Sequence, residues 1–140
     1  MKKILLVGAD SRLSQEFINR YSNKYKIFGT SRRGDSKFIF LDLINIKNLK
    51  KIPYVDFVIF IGGAISYDVC ENNFSYAKKI NCINIPILAE RFLKLKSHVI
   101  FVSTNTVFKS SKTIPGENTK TSPGFKYAIL KDIAEKKFLK

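Results

Sequence analysis

Two side chains able to move a proton stand four positions apart near the end of the sequence, in Tyr127-Ala128-Ile129-Leu130-Lys131. On a helix that spacing places both on one face, so the phenol and the ammonium can address the same ligand. A phenol titrates near ~10, so acting at neutral pH requires about 4 kcal/mol of help for the phenolate. A nearby cation gives such help, and Lys131 is spaced to supply part of it. The plainer reading is an aromatic core residue beside a solvated lysine. With six Tyr and 20 Lys in 140 residues, the spacing alone does not choose between the two.

Other candidates sit at turns. A dinucleotide-binding turn needs a small residue where the chain bends, another where backbone approaches pyrophosphate, and a third where helix packs on strand. In Gly8-Ala9-Asp10-Ser11-Arg12-Leu13-Ser14, the residues Gly8, Ser11 and Ser14 have that spacing, with serine at two of the three places. Serine is small, and its hydroxyl can donate to a phosphate. Asp10 is either a helix N-cap or a charge set close to a pyrophosphate. The segment also reads as a plain strand-to-helix turn that needs no ligand. Arg32-Arg33 falls where the second strand would approach an adenine ribose. Arginines there favour a 2′-phosphate, hence NADP over NAD, the alternative being a solvated basic turn. Asp42 can bond an adenine amino group or cap the next turn. In Val102-Ser103-Thr104, a hydroxyl can polarise a carbonyl oxygen that Tyr127 protonates during hydride transfer.

The elements that hold these residues alternate. Short apolar runs at 4–7, 25–29, 37–41, 55–61 and 99–102 read as strands. An amphipathic helix opens at 11–18 with polar caps in place. A helical or loop passage precedes the fourth strand. A long helical region runs from about 72 to 95, with Pro86 inside it, so a kink or break is expected near Ile85. A loop rich in Ser, Thr, Pro and Gly covers 110–124, and the last helix carries Tyr127 and Lys131. Strands alternating with helices imply right-handed crossovers and a parallel sheet. The expected fold is α/β: one domain over 1–140, a doubly wound Rossmann-type sheet of about five strands, with ligands at the carboxyl ends of the strands.

Composition narrows the function classes. A length of 140 residues and 45% hydrophobic content suit a single globular domain. The charge of +14 is what a nucleic-acid reader would carry. Yet the lysines are scattered from Lys2 to Lys140, with no long basic tract and no aromatic-basic alternation, so a nucleic-acid partner is not expected. Cys70 and Cys82 are too few for a disulfide framework, and His98 is the single histidine, so no metal site is expected. Two isolated cysteines fit a reducing, cytoplasmic setting. The apolar run behind Lys2-Lys3 stops at Gly8, too short for a signal core or a membrane span.

With these segments in hand, the chain resembles the extended short-chain dehydrogenases/reductases, and among them dTDP-4-dehydrorhamnose reductase and related sugar-nucleotide reductases and epimerases. Gly8-Ala9-Asp10-Ser11-Arg12-Leu13-Ser14 resembles the family's G-A-x-G-x-L-G, and Phe40-Leu41-Asp42-Leu43 its L-D-L-T-D. The stretch from Asp56 to Glu71 is similar to D-V-V-V-N-x-A-A-Y-x-x-V-D-x-x-E, with Asp56, Asp68 and Glu71 in register. Phe60 replaces the usual asparagine, and Gly62-Gly63 the usual alanines. Ala77 and Asn81 continue as A-x-x-x-N, Val102-Ser103-Thr104 with Val107-Phe108 resembles V-S-T-D-Y-V-F, and Tyr127 to Lys131 resembles Y-G-x-x-K.

The resemblance implies an acid/base role for Tyr127. It implies that Lys131 holds the nicotinamide ribose and lowers the Tyr127 pKa, and that Thr104 bonds the substrate carbonyl. It implies cofactor contacts from Gly8, Asp10, Ser11, Arg12, Leu13, Arg32, Arg33, Asp42, Leu43, Gly62, Gly63, Ala64 and Asn81. The expected cofactor is NADP, with NAD possible, and the substrate a nucleotide sugar. The sequence given stops nine residues after Lys131. The family builds its sixth strand and most of its sugar-nucleotide pocket beyond that point. A C-terminal portion or a complementing chain is therefore expected to complete the site, and strand five is expected to be an edge through which the chain associates. The alternative function is a non-catalytic Rossmann module that binds a nucleotide or a partner protein.

Overall fold

The computed structural model describes residues 1–34, 37–47 and 49–139. Asn48, within the passage expected to be helix or loop, lies outside the described residues. Five strands, β1 (Lys3–Val7), β2 (Lys26–Ser31), β3 (Ile39–Phe40), β4 (Phe57–Phe60) and β5 (His98–Phe101), form one parallel sheet in the order β3-β2-β1-β4-β5. The run Ile4-Leu5-Leu6-Val7 lies on the central strand and is at most 5% exposed, as a strand covered on both faces requires.

Alternation along the strands divides the core. Leu5, Val7, Val58 and Phe60 pack with Cys70 of α2 (Tyr67–Asn72), Ala77 of α3 (Phe74–Lys78), Leu88 and Phe92 of α4 (Ile85–Lys94), and Leu130 of α5 (Lys126–Phe138). Ile4 and Leu6 pack on the other face with Phe17 and Ile18 of α1 (Arg12–Tyr21). Helices on both faces of a parallel sheet make the doubly wound Rossmann-type fold that the pattern predicts. The third strand is shorter than the expected 37–41. Only Thr30 and Ser31 of β2 pair with it, and Phe38 instead joins the α1-side cluster.

The expected disturbance near Pro86 takes a specific form. A π turn over Lys79–Asn84 carries the chain from α3 into α4, with Pro86 in the first turn of α4. Proline has no N–H to donate. The Cys82 carbonyl, which an N–H at position 86 would normally take, accepts a hydrogen bond from Lys137 Nζ of α5. Among the described residues no helix is long and apolar enough to cross a membrane.

The strand order reverses between β1 and β4, because the chain runs from β1 outward through β2 and β3 before returning to the other side. At such a reversal the loops after the two strands diverge and leave a crevice.

Candidate functional site

Two glycines form the floor of that crevice. Gly8 sits at φ +91°, and a Cβ on it would lie 2.5 Å from Gly62 Cα, so the turns after β1 and β4 touch backbone to backbone. The Gly8 and Ala9 amides both donate to the Thr30 carbonyl, while the Ile61 and Gly62 amides both donate to Val7 O. Above this floor opens a cleft of about 420 Å³. Its walls include Gly8, Asp10, Ser11, Arg32, Arg33, Asp42, Leu43, Gly62, Gly63 and Ala64, all expected from the sequence. Tyr76 and Ser66 also line it, and neither carries a local sequence signal.

At the first turn of α1, Ser11 is the N-cap: its Oγ accepts from the Ser14 amide at 3.2 Å and donates to Ser14 Oγ at 2.9 Å. Ser14 is fully buried, and its hydroxyl donates to Gly8 O at 2.8 Å. Both serine hydroxyls are thus spent within the turn. The N-cap reading of Asp10 is corrected, since its Oδ2 lies 3.2 Å from Arg33 Nε in a salt bridge. Arg12 and Leu13 lie on the exposed side of α1 and do not line the cleft.

Arg32 Nη1 donates to the Tyr76 hydroxyl at 3.0 Å. Asp42 lines the cleft and also caps the following turn, where its Oδ1 accepts from the Ile44 amide at 3.0 Å. Asn81 does not line the cleft. It lies buried behind the wall, its Oδ1 accepting from Ala64 N at 3.0 Å and its Nδ2 donating to Ala64 O at 2.9 Å. Asn84 does the same for the neighbouring loop by donating to Leu43 O and Ile44 O. The π turn therefore braces two walls of the cleft at once.

Thr104, Tyr127 and Lys131 stand apart from the cleft's lining, around the end of β5 and the start of α5. Phe125, the N-cap of α5, has no side-chain oxygen to offer, and Glu71 supplies the cap instead: its Oε1 accepts the Lys126 amide at 3.0 Å. Tyr127 packs among aromatic rings, with centroids 5.1 Å from Tyr67 and 6.3 Å from Phe125. Burial pushes its phenol pKa up, Tyr67 and Cys70 push the same way, and a hydrogen bond with Thr104 opposes them. The expectation that Lys131 draws this pKa down is corrected: the shift is upward, and Thr104 is the group that works against it.

Lys131 is only 7% exposed; its Nζ donates to Val102 O at 2.6 Å and lies 4.3 Å from the centre of the Phe101 ring. Burial drives its pKa down to about 8, against the pull of Glu135. Glu135 in turn accepts a hydrogen bond from the Ser103 hydroxyl. The chemistry available is a neutral phenol held by a threonine, with a weakly held proton on a lysine one helical turn away. Among the described residues no group of three or more His, Cys, Asp or Glu could hold a metal ion.

A family model described as the RmlD substrate binding domain matches residues 1–139. No curated protein matches the sequence significantly. Among solved structures, a hypothetical dTDP-4-dehydrorhamnose reductase from Sulfolobus tokodaii is similar with a TM-score of 0.88 at 24% identity, over 99% of this chain and 52% of that one. MoeE5 in complex with UDP-glucose and NAD gives 0.86 at 17% identity, over 98% of this chain and 48% of that one. The dTDP-4-dehydrorhamnose reductase of Bacillus anthracis in complex with NADP gives 0.82 at 19% identity, over 97% and 48%. At these identities the likeness shows the fold. The chain spans about half the length of the structures it matches.

Proposed function

Because the chain belongs to the RmlD substrate binding domain family, we propose that it forms the cofactor-holding part of a sugar-nucleotide reductase of the dTDP-4-dehydrorhamnose reductase kind, using NADP(H). The residues present fit a dinucleotide. A glycine floor on which a Cβ would collide leaves bare backbone for close approach, and the first turn of α1 ends at the same place. Bound there, a nicotinamide would supply or take up the hydride. The chain's own part is to hold a sugar carbonyl with the Thr104 hydroxyl and to pass it the Tyr127 proton. The Lys131 ammonium would have to leave Val102 O to assist that transfer. Free, buried Cys70 and Cys82 support the reducing, cytoplasmic setting that belongs to this reading.

The observation that carries the cofactor preference is the pair of guanidiniums, Arg32 and Arg33, at the wall of a glycine-floored cleft. Fluorescence titration should give NADPH an affinity about tenfold above that of NADH, the size of one charge-assisted pair. Arg32→Ala with Arg33→Ala should erase the difference. Equal affinities in the wild type would remove the NADP assignment.

Two observations favour the second reading, a non-catalytic nucleotide- or partner-binding module. Lys131 is engaged with backbone, and the Tyr127 pKa is raised rather than lowered. Turnover of a nucleotide 4-keto sugar by this chain joined to a relative's C-terminal half, abolished by Tyr127→Phe, would decide for the reductase. Failure of every such pairing, with nucleotide binding intact, would decide for the module.

A further inference from the structure

Asp10 supports an inference that rests on the NADP(H) reading and goes beyond it. Its side chain lies at the wall of the cleft, 29% exposed, with Oδ2 3.2 Å from Arg33 Nε. It directly precedes the N-cap of α1, so its carboxylate is a fixed negative charge beside both the positive end of a helix and a guanidinium. Those are the two features a ligand phosphate would seek. The Arg33 side chain is 78% exposed, and its backbone amide is tied to Ser31 Oγ at 3.0 Å, so the guanidinium is reachable and its root is fixed. Among the described residues, Arg32, on the same wall, bonds the neutral Tyr76 hydroxyl, a partner that holds a guanidinium less tightly than a carboxylate does.

We propose that Asp10 is a specificity-determining residue, a built-in anion that occupies Arg33 and must yield it before the 2′-phosphate of a dinucleotide can pair there. The two arginines are then unequal. Arg32 is available to a phosphate at little cost, whereas Arg33 answers to a competitor inside the same cleft. The selectivity of the wild-type chain for 2′-phosphorylated ligands is lower than its two arginines would otherwise give.

The test uses 2′,5′-ADP and 5′-AMP, probes that differ by the 2′-phosphate, titrated calorimetrically against wild type, Asp10→Asn, Asp10→Glu, Arg33→Ala and the double variant of Asp10→Asn with Arg33→Ala. Asp10→Asn should raise the preference for 2′,5′-ADP by about two- to fivefold, the range of an exposed ion pair. Asp10→Glu, which keeps the charge, should stay near the wild-type preference, and the gain should vanish without Arg33. An equal gain for both probes would show that Asp10 merely repels the shared 5′-phosphate, and would overturn the proposal. So would an unchanged preference, or a gain that survives Arg33→Ala. Failure of the NADP(H) reading looks different: the wild type would hold both probes equally and ignore Arg33→Ala, and the proposal would fall with it.

Discussion

A lysine held where water barely reaches answers pH in a defined direction. The Lys131 pKa of about 8 lies below the ordinary lysine value of about 10.4. Between those values the unfolded chain keeps a proton that the folded chain has lost, so stability rises with pH across that window. Lys131→Met removes the response. The stability of wild type relative to this variant, measured by urea denaturation, should therefore climb by about 3 kcal/mol from pH 7 to above pH 10. A flat difference would show that the ammonium is solvated. Tyr127 gives a matching optical readout. Without nucleotide, the phenolate absorbance lost in Tyr127→Phe should develop above the ordinary tyrosine range, because burial opposes ionisation. Titration near neutrality would show that Lys131 does reach the phenol. At this scale helical spacing put Tyr127 and Lys131 on one helix without telling their surroundings. Ser103 meets Glu135 only once α5 is laid against the end of β5. Tyr76 meets Arg32 across 44 positions, with no local pattern to announce it.

Among the elements, the π turn has the clearest consequence for the cleft. Asn81→Ala would leave the amide of the buried Ala64 without its partner and its carbonyl with the weak Cys70 thiol donor in place of an amide. A loss of about 1–3 kcal/mol is expected, together with weaker 5′-AMP binding, although Asn81 does not line the cleft. Denaturant unfolding and calorimetry on one variant check both. Unchanged nucleotide affinity would mean that the wall stands without its brace. Pro86 flags a disturbance in the sequence, but its form depends on Lys137, which reaches the Cys82 carbonyl from 55 positions away. The strands are legible because each is a short apolar run ending at a small or polar residue. The third misled in length, since edge pairing stops where β2 stops.

For the whole molecule, β5 closes one side of the sheet, with His98 and Ile100 exposed on it. The association expected from the sequence stays a proposal: another copy or another chain pairs along this edge and against α5. Light scattering from micromolar to millimolar concentration should show a mass that grows beyond one chain, and a constant single-chain mass would count against it. The overall α/β architecture was readable because period and order survive without any knowledge of contacts. The packing of Tyr127 on Tyr67, next in the chain to the cleft-lining Ser66, was not, because it depends on how α2 and α5 come together.

The central place of β1 also sets a schedule. It is made first, yet its pairing with β4 joins Ile4 to Phe57. At about 5–20 residues per second of synthesis, that strand waits roughly 3–10 s for its second neighbour. During that interval four consecutive apolar side chains have only β2 and α1 for company. The heart of the finished sheet is thus a stretch of the newborn chain left open to a wrong partner until β4 arrives.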